Sequence, residues 1–275
     1  MTQSPLARLE AAYASIAARV GAPSDTAIVL GSGLGHLADA VVNPTFIPYG
    51  EIAGFPVSTA PGHKGQLVIG DLFGRRTVLM QGRVHLYEGW APQDVAHVIY
   101  LLGKLGPKRL IVTNAAGALN PDYRPGDVML IEDHLNFTGL NPLTGPNDEA
   151  IGVRFPDLSR AYDPALQSVT IKAAEVAGVS LRRGIYVGVA GPSLETSAER
   201  RYYRATGADA VGMSTVLEVV AAAHIRLPVI GLSAITNEAT GGPDQQPDTI
   251  EEVLANAAIA GKKIDAVLAK LLPQL

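Results

Sequence analysis

Thr77-Val78-Leu79-Met80-Gln81-Gly82-Arg83-Val84-His85-Leu86-Tyr87-Glu88-Gly89 joins an apolar run to a cluster of polar rings and charge. The first four residues read as a buried strand. In an extended chain the side-chain period is two, so Arg83, His85 and Tyr87 point one way while Val84 and Leu86 point into a core. Two readings stand for the polar trio. One is a solvated strand end. The other is a seat for a small anion beside a polyol, where Arg forks onto two oxygens, His donates one bond and Tyr offers a flat face with a polar tip.

Outward from this strand, strand and helix signals alternate. Residues 5–20 read as an amphipathic helix, with Leu6, Leu9, Tyr13, Ile16 and Val20 stepping by three and four, Pro5 in the first turn and Gly21 at the stop. Residues 27–30 read as a strand, and residues 66–70 pair with 77–80 as a hairpin around 71–75. Helices are expected over 93–105, 164–177, 197–206 and 216–226, with a last one from Asp248. Strands are expected over 110–113, 127–131, 184–190, 209–212 and 229–235. This order predicts an α/β fold with a mainly parallel or mixed sheet covered by helices. No repeat or linker interrupts it, so residues 1–275 read as one domain. Residues 136–160 are a long Gly/Pro/Asn-rich stretch of the kind that serves function or an interface.

Composition narrows the class. The 275 residues are 47% hydrophobic, enough for one large core, and the formal net charge of -4 gives no basic excess for a nucleic acid polymer. No Cys is present, which excludes disulfides and thiolate metal sites. No stretch approaches the roughly 20 apolar residues of a membrane span. Arg8 and Glu10 precede any apolar run, against a signal peptide, so a cytoplasmic protein is expected.

Several strand ends carry candidate chemistry. Gly31-Ser32-Gly33-Leu34-Gly35 follows a strand and exposes N–H groups and a hydroxyl suited to phosphate; a plain strand-to-helix turn is the alternative. It matches neither the P-loop nor the dinucleotide fingerprint. Pro61-Gly62-His63-Lys64-Gly65 surrounds His63 with small residues: a surface His, or one that closes over an anion. Thr113-Asn114-Ala115-Ala116-Gly117 lets a flat ligand, or simply a helix, lie against backbone. In Gly191-Pro192-Ser193-Leu194-Glu195-Thr196, Thr196 and Glu199 form a capping box, placing Glu195 just before a helix. There it complements the dipole or accepts hydrogen bonds from ring N–H groups of a ligand. Thr215 and Glu218 suggest another capping box, putting Ser214 at an anion-binding helix start, with Met213 as a soft contact beside it. Asn237 ends the last strand with an amide that donates and accepts. Ligands of open α/β sheets bind outside such strand ends. Paired glycosidase carboxylates, a Ser-His-Asp set and an HExxH pattern are all missing from the sequence. His36, His97, His134 and His224 read as structural or exposed.

Taken together, in order and over nearly the whole chain, these segments resemble purine nucleoside phosphorylases of the trimeric, low-molecular-mass branch. The residues that carry the resemblance are Leu30 to Gly35, Pro61-Gly62-His63, Gln81 to Gly89, Thr113 to Gly117, Gly145-Pro146-Asn147, Gly191 to Thr196, Val211 to Thr215, and Thr236-Asn237. The resemblance implies a mixed, partly barrel-like sheet flanked by helices, and a homotrimer with active sites near its contacts. It implies that Ser32, His63, Arg83, His85, the Ala115 backbone and Ser214 bind phosphate. Tyr87 and Met213 would hold the ribose, joined by Phe155 from a neighbouring subunit. Glu195 and Asn237 would hold the purine, with Leu194, Ala116, Gly117 and Val211 around it. Asn237, Glu195 and His85 would carry catalysis.

The implied reaction is reversible phosphorolysis of purine (2′-deoxy)ribonucleosides, with inosine and guanosine preferred because Glu195 accepts from N1–H. Inorganic phosphate is the co-substrate, and no metal or organic cofactor is implied. Two departures stand out. Many members have His before the Glu-Glu-Val of the last helix, where it meets the ribose 5′-OH; here that residue is Ile250. Leu194 replaces the usual aromatic. The alternative is therefore a 5′-methylthioinosine or 5′-methylthioadenosine phosphorylase. A phosphate-independent nucleosidase or sugar-phosphate isomerase, and a non-catalytic nucleoside or phosphate sensor, are the remaining alternatives.

Overall fold

In a computed structural model, which describes residues 4–60 and 62–275, the chain builds one mixed sheet with helices packed on it. Pro61 of the second loop lies outside the described residues. Helix α1 (Pro5–Val20) starts as its sequence predicts: the Ser4 hydroxyl accepts from Ala7 N–H at 3.2 Å, Pro5 opens the first turn, and Gly21 ends it at φ 65°. Its apolar stripe of Leu9, Ala12, Ile16 and Val20 is buried.

Strand β1 (Thr26–Leu30) is buried throughout. Strand β2 (Val42–Pro48) pairs antiparallel with β3 (Gln66–Leu72), which forms a hairpin with β4 (Arg75–Gln81). Helix α2 (Pro92–Lys104) leads to β5 (Leu110–Ala118) and β6 (Val128–Asn136). Then come α3 (Pro164–Ala177), β7 (Leu181–Gly188), α4 (Ser197–Ala205), β8 (Ala210–Gly212), α5 (Val216–His224), β9 (Val229–Glu238) and α6 (Ile250–Leu271).

The strand order is β2-β3-β4-β1-β5-β8-β7-β6-β9, and β9 pairs back onto β5. The last five strands therefore close a small barrel, and the first four extend it as an open wing. This is the mixed, partly barrel-like sheet expected from the sequence. Strands β1, β4, β5 and β9 run parallel, so their carboxyl ends share one edge. Strand β8 runs antiparallel to β5 and returns Gly212 to the level of Ala115. One core fills the space between the wing and helices α1, α2 and α5; a second lies under α6, which buries Ala260, Ile264, Leu268 and Leu271. Ile264, Leu268 and Leu271 each contribute about 1.5–3 kcal/mol by leaving water.

The extended backbone expected through Tyr87 stops at Gln81. Gly82 turns the chain at φ 113°, where a β-carbon would stand 2.7 Å from that of His63, and residues 86–88 form a short 3-10 turn. Val84 is buried as expected, and Leu86 packs against the same core.

Candidate active site

The carboxyl ends of six strands, or the loops that follow them, converge on one cavity of about 170 Å³. From β1 comes Ser32; from β4 come Arg83, His85 and Tyr87; from β5 come Ala115, Ala116 and Gly117. The segment after β7 adds Leu194 and Glu195, β8 adds Val211, Met213 and Ser214, and β9 adds Asn237. Gly212 and Thr236, inside quoted motifs but given no role there, and Val253, outside them, complete the wall. A larger cleft of about 500 Å³ lies between residues 121–125 and segment 238–252. The carboxylates of Glu238, Asp244, Asp248 and Glu252 around it oppose an anion, so size does not pick the site.

One end of the cavity is built on a buried ion pair. Arg83 is 1% exposed and forks onto Glu218 rather than into open space: Nε donates to Oε1 at 3.1 Å and Nη2 to Oε2 at 2.9 Å. Its Nη1 donates to the Ser214 hydroxyl at 2.8 Å. This corrects two expectations. The Arg83 fork is occupied by protein, leaving Nη1 as its edge toward Ser214 and the cavity. The Thr215–Glu218 capping box does not form, because Glu218 turns inward to Arg83 and Thr215 sits at φ 72° without a side-chain cap. The Thr215 hydroxyl instead accepts from Asn114 Nδ2 at 2.9 Å. Ser214 still precedes α5, with its N–H directed at the Tyr186 hydroxyl at 3.3 Å.

Three rings stack beside this pair: His63 on His85 with centroids 5.4 Å apart, and His85 on Tyr87 at 4.6 Å. Glu88 fixes the middle ring. Its Oε1 accepts from the His85 backbone N–H at 2.9 Å and meets Nδ1 at 2.8 Å, while Oε2 accepts from Thr59 N–H and hydroxyl. Burial would raise this carboxyl, but the hydrogen bonds from His85 and Thr59 hold it down at about 2. With Nδ1 engaged, His85 presents Nε2. His63 does not line the cavity itself; its Nε2 stands 3.4 Å from the Ser32 hydroxyl and its Nδ1 meets the Arg83 backbone. Burial, reinforced by the neighbouring His85, pushes His63 down to about 4, so its ring is neutral near pH 7.

At the opposite end, Glu195 precedes α4, whose predicted capping box is present: Thr196 N–H donates to Glu199 Oε2 at 2.7 Å and Glu199 N–H to the Thr196 hydroxyl at 3.2 Å. Burial raises the Glu195 carboxyl above its ordinary range; its own backbone N–H and Arg200 pull it back, and Asp248 pushes it further up. Asn237 is buried against Gly117, where a β-carbon would stand 3.2 Å from Nδ2 and 2.9 Å from the Ala239 β-carbon. Glycine there lets β5 approach the amide. Leu194 is half exposed at the cavity mouth. Phe155 lies outside the cavity, 86% exposed, with the Arg154 guanidinium 5.6 Å from its ring.

Sequence reasoning missed the groups behind the lining: Glu218, Glu88, Arg200 and Asp248. Only Glu88 stood inside a quoted motif, and Glu218 was assigned a different partner. Arg200 and Asp248 carry no local pattern, since their pairing spans 48 residues.

Comparison with known proteins places the whole chain in a family. The chain matches the phosphorylase superfamily over residues 25–273. Purine nucleoside phosphorylase 1 of Bacillus subtilis is 48% identical over 90% of this chain and 91% of its own length, and the Bos taurus purine nucleoside phosphorylase is 45% identical over 90% and 88%. Among solved structures, Schistosoma mansoni purine nucleoside phosphorylase in complex with inosine superposes with a TM-score of 0.92 at 38% identity, covering 98% of this chain and 96% of that one. A schistosoma purine nucleoside phosphorylase in complex with hypoxanthine gives 0.94 at 38% identity, covering 100% and 99%. The chain belongs to the phosphorylase superfamily, among its purine nucleoside phosphorylases.

Proposed function

We propose that this chain catalyses reversible phosphorolysis of purine (2′-deoxy)ribonucleosides, releasing the free base and (deoxy)ribose 1-phosphate. The observation that carries this reading is the single cavity with Arg83, Ser214, Ser32 and His85 at one end and Glu195 with Asn237 at the other. Phosphate held at the first end is the nucleophile at C1′, so no enzyme carboxylate need attack. Its negative charge stabilises the oxocarbenium-like sugar of the transition state. Because Glu218 already neutralises Arg83, hydrogen bonds from Arg83 Nη1, Ser214, Ser32 and the Ala115 backbone, with His85 Nε2 facing the anion and His63 acting through the Ser32 hydroxyl, hold phosphate against a pair rather than a free cation, which favours its exchange.

The sugar lies over the Tyr87 and Met213 side chains. The purine lies against Ala116, Gly117, Val211 and Leu194, with its polar edge on Glu195 and Asn237. As the glycosidic bond breaks, electron density flows into the ring, and an Asn237 hydrogen bond strengthens. An ionised Glu195 accepts from N1–H, which hypoxanthine and guanine have and adenine lacks. Inosine and guanosine are therefore preferred over adenosine.

The proposal includes a cytoplasmic homotrimer in which Phe155 caps a neighbour's ribose site; the ring's exposure supports this. Residues 1–275 act as one domain. No metal or organic cofactor takes part, so turnover survives dialysis against a chelator. The deciding assay is hypoxanthine release from inosine with and without phosphate. Release that requires phosphate is expected; release without it overturns the reading in favour of a nucleosidase.

A second reading has support of its own. Ile250, the first residue of α6, is exposed and apolar, and Val253, three residues on, lines the cavity. That end of the site tolerates a 5′-alkylthio group. A kcat/KM higher for 5′-methylthioinosine than for inosine would favour it.

A further inference from the structure

An asparagine amide can meet a purine in two orientations, related by a flip that exchanges its donor and acceptor ends. In this chain the flip is blocked from behind. Asn237 Nδ2 donates to Asp248 Oδ1 at 2.9 Å. The other Asp248 oxygen takes Arg200 Nη2 at 2.6 Å, and Arg200 Nε stands 3.5 Å from Glu195 Oε2. Arg200, Asp248 and Glu195 side chains are each 5–7% exposed. One guanidinium thus ties together the two base-reading residues through Asp248, from α4 to the start of α6.

A carboxylate paired with an arginine has no proton to donate. Only the NH2 end of Asn237 can face it; the flipped amide would set two acceptor oxygens against each other at hydrogen-bond distance. The Thr236 hydroxyl, 2.8 Å from Asn237 Oδ1, does not choose by itself, because a hydroxyl can turn to donate or accept. Asp248 does choose, and it does so without lining the cavity: it lies behind Asn237, on the larger cleft. Arg200 Nε has no hydrogen-bond partner among the described residues, so at 3.5 Å it holds Glu195 by charge rather than by a closed fork.

We propose that Asp248 is a specificity-determining positioning residue: held by Arg200, it keeps the Asn237 amide in the one orientation that reads a 6-oxo group and denies the flip a 6-amino group would need. The inference rests on the assignment of this cavity to a purine. Glu195, an acceptor, calls for the N1–H of a 6-oxopurine, and the donor end of Asn237 then meets O6. A 6-amino group needs an acceptor there, and the pinned amide cannot supply one.

The test compares the wild type with Asp248→Asn and Asp248→Glu. Affinities for hypoxanthine and adenine are measured by calorimetry, alongside kcat/KM for inosine and adenosine. Asparagine can present either amide end to Asn237 and so releases the flip, while glutamate keeps the acceptor. The wild type is expected to favour hypoxanthine. Asp248→Asn should narrow the hypoxanthine-to-adenine ratio by about tenfold, the worth of one buried hydrogen bond, and Asp248→Glu should largely retain it. Circular dichroism checks folding; should Asp248→Asn not fold, Asp248→Ser carries the same expectation. A ratio unchanged in the folded variant, or changed equally by Asn and Glu, overturns the lock and leaves the purine site standing. A wild type that binds neither base overturns the site assignment and the lock together.

Discussion

In the proposed reaction Glu195 accepts two hydrogen bonds from a guanine, from N1–H and from the 2-amino group, and only the ionised carboxylate can do so. Burial raises its folded pKa above the free value of about 4.3. The protonated form therefore persists to a higher pH than in water, and it can accept fewer bonds. The sign follows: kcat/KM for guanosine, which reports the free enzyme, should fall as pH drops through a limb lying above the ordinary carboxylate range. Glu195→Gln should lower guanosine activity and abolish that limb; a Gln variant with the same acid limb would refute the assignment. Glu195 was legible because it precedes a capping box, and Asn237 because it ends an apolar run. Arg200 and Asp248, which hold them, were not. A single pair across 48 residues leaves no periodicity to read, and a charged residue near a helix start usually faces water. Glu218 shows the opposite failure: a Thr-x-x-Glu spacing that fits a cap is overridden when a buried guanidinium competes for the carboxylate.

Between elements, that same Arg83–Glu218 pair fastens the end of β4 to the first turn of α5, with both side chains at most 4% exposed. Removing one partner leaves an uncompensated buried charge, which costs about 3–5 kcal/mol. Glu218→Ala should lose stability of that order in urea unfolding and weaken phosphate binding as Arg83 swings away from Ser214. A stability loss under 1 kcal/mol would mean that water reaches the guanidinium and that the pair does not organise the loop. At this scale most elements were visible in advance, with edges displaced. Strands β5 and β9 run to Ala118 and Glu238, past the apolar stretches that announced them, because small and polar residues such as Asn114, Ala115 and Asn237 extend a ladder without an apolar signal. Strand β2 was missed outright. Its side chains are mostly exposed and it contains Pro44 and Pro48, as suits an edge strand paired on one side.

For the molecule as a whole, the long loop between β6 and α3 holds the clearest unfinished surface. Arg154 anchors it by donating to Leu143 and Gly145 carbonyls, and Asn147 meets His224 at 3.1 Å, yet Phe155 stands almost wholly in solvent. Elsewhere on the surface Phe137, Leu140, Leu194 and Tyr202 are also exposed, and Leu194 borders the cavity. An isolated exposed aromatic needs no explanation, but one on a tethered loop, in a chain whose cavity mouth is apolar and open, suits donation to a neighbouring copy. If each ribose site is completed by the next subunit's Phe155, damage to the ring and damage to the pocket are separable between subunits. Phe155→Ala homomers should show a raised nucleoside KM with little change in phosphate KM. Asn237→Ala homomers should lose about 10²–10³ in turnover while keeping the ring intact. Co-expressed and co-purified hybrids then contain intact pockets facing intact rings. Their nucleoside KM should return toward the wild-type value, carried by Phe155→Ala subunits whose neighbour is Asn237→Ala. A hybrid whose KM stays at that of the Phe155→Ala homomer would place the ring in its own subunit's surface chemistry and remove the argument for sites shared across a trimer.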